Sequence, residues 1–353
     1  MKVSRILAAA AALCLLAGLL TGCGGDKKEN VLKFYNYGDY INSELLKQFE
    51  KETGIRVLQD TFDTNEEMYV PVASGQVQYD LIVAGDYTIE KMIANNLLQP
   101  LNYDNIPNTK YLDADYMEKL AAADPGNKYA IPYTWGTVGI MYNSSMIPEG
   151  SVTSWKDLWN PEYKQYGIVM QNSVRDTFMV AEKILDIDIN TTDEADLQKV
   201  LDLLMEQKPL VQSWKVDEIR DELIEKNAGI GMIYSGEYLY CTEHNEDLVF
   251  VIPEEGTNVW FDCFVIPANA QNVSAAEKFI DFMMRPESGV LTFEELCYPI
   301  PNTESIKMLD EEYLNDENIF PPQSVLDKSS VYHYLGEEAD ELLNKYWKQY
   351  RGN

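Results

Sequence analysis

The thiol of Cys23 is the group whose place in the sequence most clearly indicates a chemical modification. Lys2 and Arg5 precede an unbroken apolar run over residues 6–20, and small residues then lead to Cys23. The apolar run is too short to span a membrane comfortably. A basic start, a short apolar segment and small residues before a cysteine predict an export signal.

The order Leu20-Thr21-Gly22-Cys23 is typical of a bacterial lipoprotein signal. It predicts that residues 1–22 are a signal peptide and that Cys23 is lipidated. Residues 23–30 would then form a polar, lipidated tether that holds the protein to a membrane outside the cytoplasm. The alternative is an ordinary secreted protein in which this cysteine is incidental.

No motif for covalent or hydrolytic chemistry is present in the sequence. It has neither a Gly-x-Ser-x-Gly elbow nor a Walker-type Gly-Lys-Ser/Thr loop. The stretch 229–231 begins a dinucleotide fingerprint, but Tyr234 stands at the third glycine position. Paired glutamates at 66–67 and 294–295 could act as glycosidase acids, although solvated helix surfaces explain them more simply. The sequence therefore predicts a protein that binds, without a cofactor, and is not an enzyme.

Metal-ligating and disulfide-forming residues are few. His244 and His333 are the only histidines, which excludes a histidine-rich metal site, and no metal is predicted. Beyond the signal and Cys23, the cysteines are Cys241, Cys263 and Cys297. One disulfide with one free thiol, or three thiols packed as small apolar groups, both fit this set.

The chain is strongly acidic, with a formal net charge of −30, and its 46% hydrophobic content is that of a globular protein. Such a charge argues against nucleic-acid binding and favours cationic over anionic ligands at long range. Solubility alone would also explain the charge, which by itself names no ligand.

Strand and helix patterns alternate along the chain. The predicted strands are 31–35, 55–59, 79–83, 139–142, 167–170 and 231–234. Helices are predicted at 43–52 and 89–95 and after capping signals at 64, 154 and 274. Ser274-Ala275-Ala276-Glu277 has the form of a capping box, and the helix that it opens should end before Pro286. Repeated strand–helix units predict an α/β fold with a largely parallel sheet.

Seven short blocks follow one another along the chain: 34–41, 51–55, 79–83, 131–136, 151–159, 260–270 and 298–302. In this order they resemble the polyamine-binding proteins of ABC importers, most closely the spermidine/putrescine-binding type of bacterial extracellular solute-binding protein. The strongest blocks are 151–159 (SVTSWKDLW) and 260–270. The resemblance spans essentially the whole chain after the tether.

The resemblance implies a two-lobed periplasmic-binding-protein fold of type II. Each lobe would be a mixed, largely parallel sheet flanked by helices, with the ligand cleft between the lobes. The chain would cross between them, giving lobe one at 31–136 plus 263–305 and lobe two at 137–262 plus 306–353. The implied protein is a monomer that closes on its ligand and docks on an ABC permease.

The same resemblance implies which residues bind the ligand. Ammonium groups need carboxylates, and a methylene stem needs aromatic faces. Trp260 and Asp262 match the family's ring-plus-carboxylate pair, Asp39 and Asp176 match acidic positions, and Ser173 and Tyr332 fall at polar positions. The predicted aromatic wall is Tyr37, Tyr40, Tyr87, Tyr234 and Tyr298. Alternatives remain: Asp39 could be a turn residue, Asp176 a helix-start residue or a partner of Arg175, and each ring a packed one.

One departure from the family pattern bears on specificity. Ser173 stands where the spermidine-preferring pattern has Asp, so one ammonium partner is lost. This predicts a bias toward a shorter diamine such as putrescine, or weaker spermidine binding. The alternative readings are a receptor of the same fold for an amino acid, a sugar or a thiamine-like cation, a sensor, and an extracellular enzyme.

Overall fold

The computed structural model describes residues 30–352. The predicted signal peptide (1–22), Cys23 and nearly all of the predicted tether lie outside these residues. The described strands are β1 (Val31–Tyr37), β2 (Arg56–Phe62), β3 (Leu81–Gly85), β4 (Ala130–Asn143), β5 (Ile168–Gln171), β6 (Val211–Lys215), β7 (Ile230–Tyr234), β8 (Leu248–Val251) and β9 (Val259–Val265).

Helices flank these strands. They are α1 (Ser43–Thr53), α2 (Asn65–Ala73), α3 (Asp86–Ala94), α4 (Ala114–Leu120), α5 (Val174–Leu185), α6 (Glu194–Gln207), α7 (Ile219–Ile224), α8 (Glu237–His244), α9 (Val273–Met283), α10 (Pro286–Leu296), α11 (Thr303–Ile306), α12 (Glu311–Leu314), α13 (Gln323–Leu326) and α14 (Glu337–Arg351). Short 3-10 turns include Trp155–Trp159. No helix in the described part of the chain is long and apolar enough to cross a membrane.

The strands form one mixed sheet in the order β2-β1-β3-β9-β4-β7-β5-β6, with β8 paired to β4. β1 pairs in parallel with β2 and β3, and β5 pairs in parallel with β6 and β7. The central strands β9 and β4 run antiparallel to their neighbours. The early part of β4 pairs with β9 and its later part with β7 and β8. The two strands therefore carry the chain across the middle of the molecule.

Hydrophobic cores lie on both sides of this crossing, which gives the predicted two-lobed α/β fold. We call the side with β1–β3 the first lobe and the side with β5–β8 the second. Phe34, Phe264 and Phe279 centre one first-lobe core, and Tyr142, Trp155 and Met232 belong to a second-lobe core. The tail serves both lobes, since Phe320 and Leu326 pack on the first while Leu343 and Tyr350 pack on the second. The exact bounds of the lobes stay a prediction.

Local signals fix several helix ends as the sequence predicts. Thr64 accepts a hydrogen bond from the Glu67 amide at the start of α2, and Gly54 ends α1 at a φ of 70°. The capping box at Ser274 is wrong. α9 begins at Val273 after Asn272, so Ser274 is already helical. Glu277 instead accepts hydrogen bonds from the Asn102 amide (3.2 Å) and the Asn105 side chain (2.6 Å), because it packs against the loop before α4.

The three cysteines beyond the tether are free thiols. Cys241 and Cys263 are buried, and Cys297 is partly exposed at the left-handed end of α10. The structure thus favours the second of the two readings, in which these cysteines pack as small apolar groups.

Candidate functional site

A cavity of about 330 Å³ lies where the two lobes meet. All eleven residues predicted to bind ligand line it: Tyr37, Asp39, Tyr40, Tyr87, Ser173, Asp176, Tyr234, Trp260, Asp262, Tyr298 and Tyr332. The topology of the sheet brings these residues together. Loops that follow the parallel strands of each lobe end at the same edge, which is the usual ligand-binding edge of open α/β sheets.

Asp262 lies on β9 at the centre of the sheet, opposite Gly85 on β3 and Thr134 on β4. Its Oδ2 accepts a hydrogen bond from Tyr40 Oη (2.9 Å), and its Oδ1 accepts a long one from Tyr37 Oη (3.4 Å). Burial raises the pKa of the Asp262 carboxyl to about 7, while the two tyrosine hydroxyls act in the opposite direction. The ionised carboxylate is therefore poorly compensated by the protein alone.

Asp176 approaches the cavity from the second lobe. It lies in the first turn of α5, where Ser173 Oγ accepts a hydrogen bond from its amide (3.4 Å). Its Oδ2 accepts from Tyr234 Oη (2.8 Å) and its Oδ1 from Tyr332 Oη (3.0 Å). The alternative that Asp176 pairs with Arg175 does not describe this arrangement, and Ser173 serves as the helix cap.

Other carboxylates on the cavity wall were not among the predicted ligand-binding residues, and Asp86 and Glu66 are two of them. Asp86 begins α3 and accepts hydrogen bonds from the amides of Tyr87 (2.7 Å) and Phe261 (3.3 Å). Burial raises its pKa to about 8 and also raises that of Glu66, which accepts from Tyr87 Oη (3.0 Å). A signal was available, because Asp86 directly follows a fully buried strand and Glu66 follows the strand two places across the sheet.

Aromatic rings separate these carboxylates. The Trp260 ring lies 5.0 Å from the Tyr298 centroid and 6.2 Å from that of Tyr234, both edge to face. Glycines make room for this packing, since a Cβ at Gly136 would lie 2.5 Å from the Trp260 ring and one at Gly236 only 2.3 Å from the Tyr298 ring. The Trp260 Nε1 is buried without a hydrogen-bond partner in the described structure.

Arg220 dominates another part of the cavity wall. Its guanidinium lies 3.6 Å from the Asp39 carboxylate, 3.4 Å from that of Glu237, and 5.0 Å from the Tyr240 ring centroid. Asp39 itself occupies a left-handed turn (φ 46°) with 86% of its side chain exposed. It lines the cavity at its rim and is already paired to a cation.

Glu66, Asp86, Asp176 and Asp262 differ from Asp39 in this respect. Within residues 30–352, none of the four forms an ion pair with Lys or Arg. Arg175 also lines the cavity, but its nitrogens donate to the oxygens of His333, Ile189 and Asn190. No cluster of residues suited to a metal ion occurs in the described part of the chain. The wall as a whole suits a cationic ligand with an apolar stem.

Comparisons with known proteins identify the family of this chain. The family model for bacterial extracellular solute-binding proteins matches residues 44–321. The spermidine/putrescine-binding periplasmic protein of Escherichia coli (strain K12) is 34% identical over 349 residues, which cover 99% of this chain and 98% of the relative.

Solved structures show the same relationship. A Listeria monocytogenes protein assigned to a spermidine/putrescine ABC transporter has a TM-score of 0.87 at 38% identity, covering 91% of this chain and 99% of that one. The spermidine/putrescine ABC transporter substrate-binding protein PotD from Streptococcus pneumoniae has a TM-score of 0.78 at 35% identity, covering 91% and 98%. The chain therefore belongs to the bacterial extracellular solute-binding proteins, which bind transported substrates rather than convert them.

Proposed function

We propose that this protein captures a polyamine, putrescine or spermidine, outside the cytoplasm and delivers it to an ABC importer. One observation carries the proposal: Asp176 on the second lobe and Asp262 on the central strand β9 face one aromatic-walled cavity, and both are buried and without a cationic partner in the described structure. Two carboxylates separated by rings match a ligand with two ammonium groups joined by methylenes.

The tyrosine hydroxyls leave Asp176 and Asp262 able to accept further hydrogen bonds. An ionised carboxylate has about four lone-pair sites, and an ammonium has three donors. Asp262 and Asp176 each use two sites on hydroxyls. Each carboxylate can therefore take a charge-assisted hydrogen bond from an ammonium without losing its tyrosines, which hold it in position.

The free-energy cost of burying ionised carboxylates also favours a cationic ligand. Burial disfavours the ionised forms of Asp262, Asp86 and Glu66, as the raised pKa of each shows. A bound ammonium would relieve this cost and lower those pKa values. Trp260 and Tyr298 would cover the stem, with a cation–π contribution of about 0.5–2 kcal/mol per contact.

The other ligand classes fit less well. The carboxylate of an amino acid would need a free cation, yet Arg220 is ion-paired and Arg175 donates to neutral oxygens. Hydroxyls of a sugar would not offset the ionised carboxylates. A thiamine-like cation remains the nearest competitor, since it also combines charge with an aromatic face.

Delivery to an importer rests on the family and on the names of its members. The two-lobed fold supplies the closure that such docking needs. The Leu20-Thr21-Gly22-Cys23 pattern supports a lipid anchor at Cys23. We therefore propose a monomeric, lipid-anchored receptor that passes its closed form to a permease powered by a separate ATPase.

Calorimetric titration of residues 24–353, which lack the predicted signal peptide and lipid-carrying Cys23, with putrescine, spermidine and spermine tests the binding step. We expect saturable 1:1 binding of a polyamine that Asp262→Asn abolishes and that Glu118→Gln, an exposed carboxylate outside the cavity, leaves unchanged. Glutamate, maltose and thiamine serve as competitor classes. Binding of one of these in place of every polyamine would overturn the proposal.

A further inference from the structure

The guanidinium of Arg220 divides the cavity into two electrostatically different parts. One part contains Asp176, Asp262, Asp86 and Glu66, which have no ion pair in the described structure. The other part contains Asp39 and Glu237, which form ion pairs with Arg220. Tyr298 contacts both parts, since its ring lies 5.8 Å from that of Tyr40 and packs against Gly236, the residue before Glu237.

We propose that Arg220 is a specificity-determining residue that limits the length of the bound polyamine, an inference that rests on the proposed function. The guanidinium occupies the carboxylates that a further ammonium of a longer polyamine would need. It acts as a tethered cation in place of that group. A short diamine would bind at Asp176 and Asp262 and be unaffected, whereas a triamine would reach toward a positive charge.

The contacts of Arg220 support this role. It reaches Glu237 on α8 at 3.4 Å and Asp39 after β1 at 3.6 Å, so both carboxylates are already engaged. Charge attraction to Arg220 opposes the burial that raises the pKa of Glu237 to about 7. Without the guanidinium, the half-buried Glu237 would lose its ion-pair partner, and an ammonium would be its natural replacement.

Arg175 does not play the same part, although it also lines the cavity. Its donors are consumed by two backbone carbonyls and the Asn190 amide oxygen, and its face packs against Tyr332 (4.5 Å) and Tyr87 (5.3 Å). It therefore stabilises the second-lobe wall and leaves Asp176 without an ion pair. Arg220, by contrast, pairs directly with the carboxylates that it faces.

Arg220 also joins the two lobes at the rim, because Asp39 follows β1 and Arg220 lies on α7. Removing it can change how firmly the cleft closes, which would alter the affinity of every ligand alike. The ratio of spermidine to putrescine affinity cancels this shared effect. That affinity ratio therefore separates the effect of the Arg220 charge on ligand length from any effect on cleft closure.

The test is calorimetric titration of Arg220→Gln and of the unsubstituted protein with putrescine and spermidine. We expect the spermidine-to-putrescine affinity ratio to rise about tenfold in the variant, because an ammonium can now take the freed carboxylates. Arg285→Gln serves as the matched control, since Arg285 pairs with the exposed Glu52 away from the cavity and should leave the ratio unchanged.

A second variant makes the result specific to the carboxylates. In Arg220→Gln/Glu237→Gln most of the gain should disappear, because one of the freed partners is lost. A ratio that stays within twofold of the unsubstituted protein in Arg220→Gln, or that falls, overturns the inference. That failure differs from failure of the proposed function, in which the unsubstituted protein would bind neither polyamine.

Discussion

Two pairs of buried aspartates in this protein are about equally hidden from solvent yet are held in different ways. Asp80 and Asp124 are 4% and 0% exposed, and Asp176 and Asp262 are 6% and 9% exposed. Asp80 accepts from the amides of Lys33 (3.0 Å), Gln271 (2.9 Å) and Asn272 (2.8 Å). The cavity pair accepts from tyrosine hydroxyls alone in the described structure.

The difference distinguishes a structural carboxylate from one that we propose binds ligand. The amides around Asp80 belong to β1 and to the loop before α9, so they join segments distant in sequence and leave no space for a ligand. Asp124 makes a local version of this arrangement, since its Oδ2 accepts from the Tyr129 and Ala130 amides at the start of β4. Hydroxyls at the ends of Tyr40 and Tyr234 instead hold a carboxylate at the cavity wall, where its remaining lone pairs are available for a further donor.

The largest effect should come from removing the charge of Asp176. Asp176→Asn should weaken polyamine binding about 100-fold, because truncating a buried charge pair typically costs about 2–5 kcal/mol. Thermal stability without ligand should stay equal or rise, since a desolvated charge is lost. Titration calorimetry with a melting curve measures both quantities, and an unchanged affinity would place the ammonium elsewhere.

Removing the charge of Asp80 should lower stability and leave polyamine affinity unchanged. Asp80→Asn puts an amide donor against the backbone donors of the first lobe, so the free energy of unfolding should fall by about 2–3 kcal/mol. Polyamine affinity should be unchanged at temperatures where the variant is folded. Urea unfolding gives the stability, and loss of affinity in fully folded protein would break the distinction between the two pairs.

Lowering the pH should have opposite effects on polyamine affinity and on the stability of the ligand-free protein. Polyamine affinity should fall about tenfold for each pH unit below 7, because Asp262, with a pKa of about 7, must be ionised to hold an ammonium. The stability of the ligand-free protein should change with pH in the opposite direction. The folded-state pKa values of Asp262 and Asp86 lie above the unfolded ones, so the folded protein binds more protons and stability rises as pH falls from 8 toward 5.

Calorimetry and melting curves at pH 8, 7, 6 and 5 check both trends. Asp262→Asn is the control for stability, since it should remove part of the gain on acidification. An affinity that is flat across this range would contradict the assignment of Asp262 as an ammonium partner.

Removing one hydroxyl should have a smaller effect than removing a carboxylate. Tyr40→Phe deletes the donor to Asp262 Oδ2 and the 2.6 Å hydrogen bond with Thr134 Oγ1. Affinity should fall about threefold to tenfold, because the carboxylate remains but is held less well and is harder to ionise. Tyr103→Phe, which only loses a surface bond to the Asn127 carbonyl, is the matched control. Equal affinities for the two variants would assign no positioning role to Tyr40.

The sequence predicted the fold and the site to different degrees. Strands such as β3 and helix ends such as Gly54 were predictable because burial and backbone conformation are local properties. The site residues came from the ordered resemblance, and all eleven line one cavity. Asp86 could have been found from its position directly after the buried strand β3, whereas the role of Arg220 could not be predicted, because it depends on contacts between lobes. The capping box predicted at Ser274 does not form, because Glu277 has a tertiary partner in Asn105.

The smallest expected effect tests the departure at position 173. Ser173 caps α5, and Asp is an equally good cap, so Ser173→Asp should fold normally. It adds a carboxylate to the cavity wall near Asp176 and should raise the spermidine-to-putrescine affinity ratio about threefold. Ser173→Asn keeps the cap without the charge and is the matched control. If the two variants give the same ratio, length selection does not depend on charge at this position, and Arg220 would carry it alone.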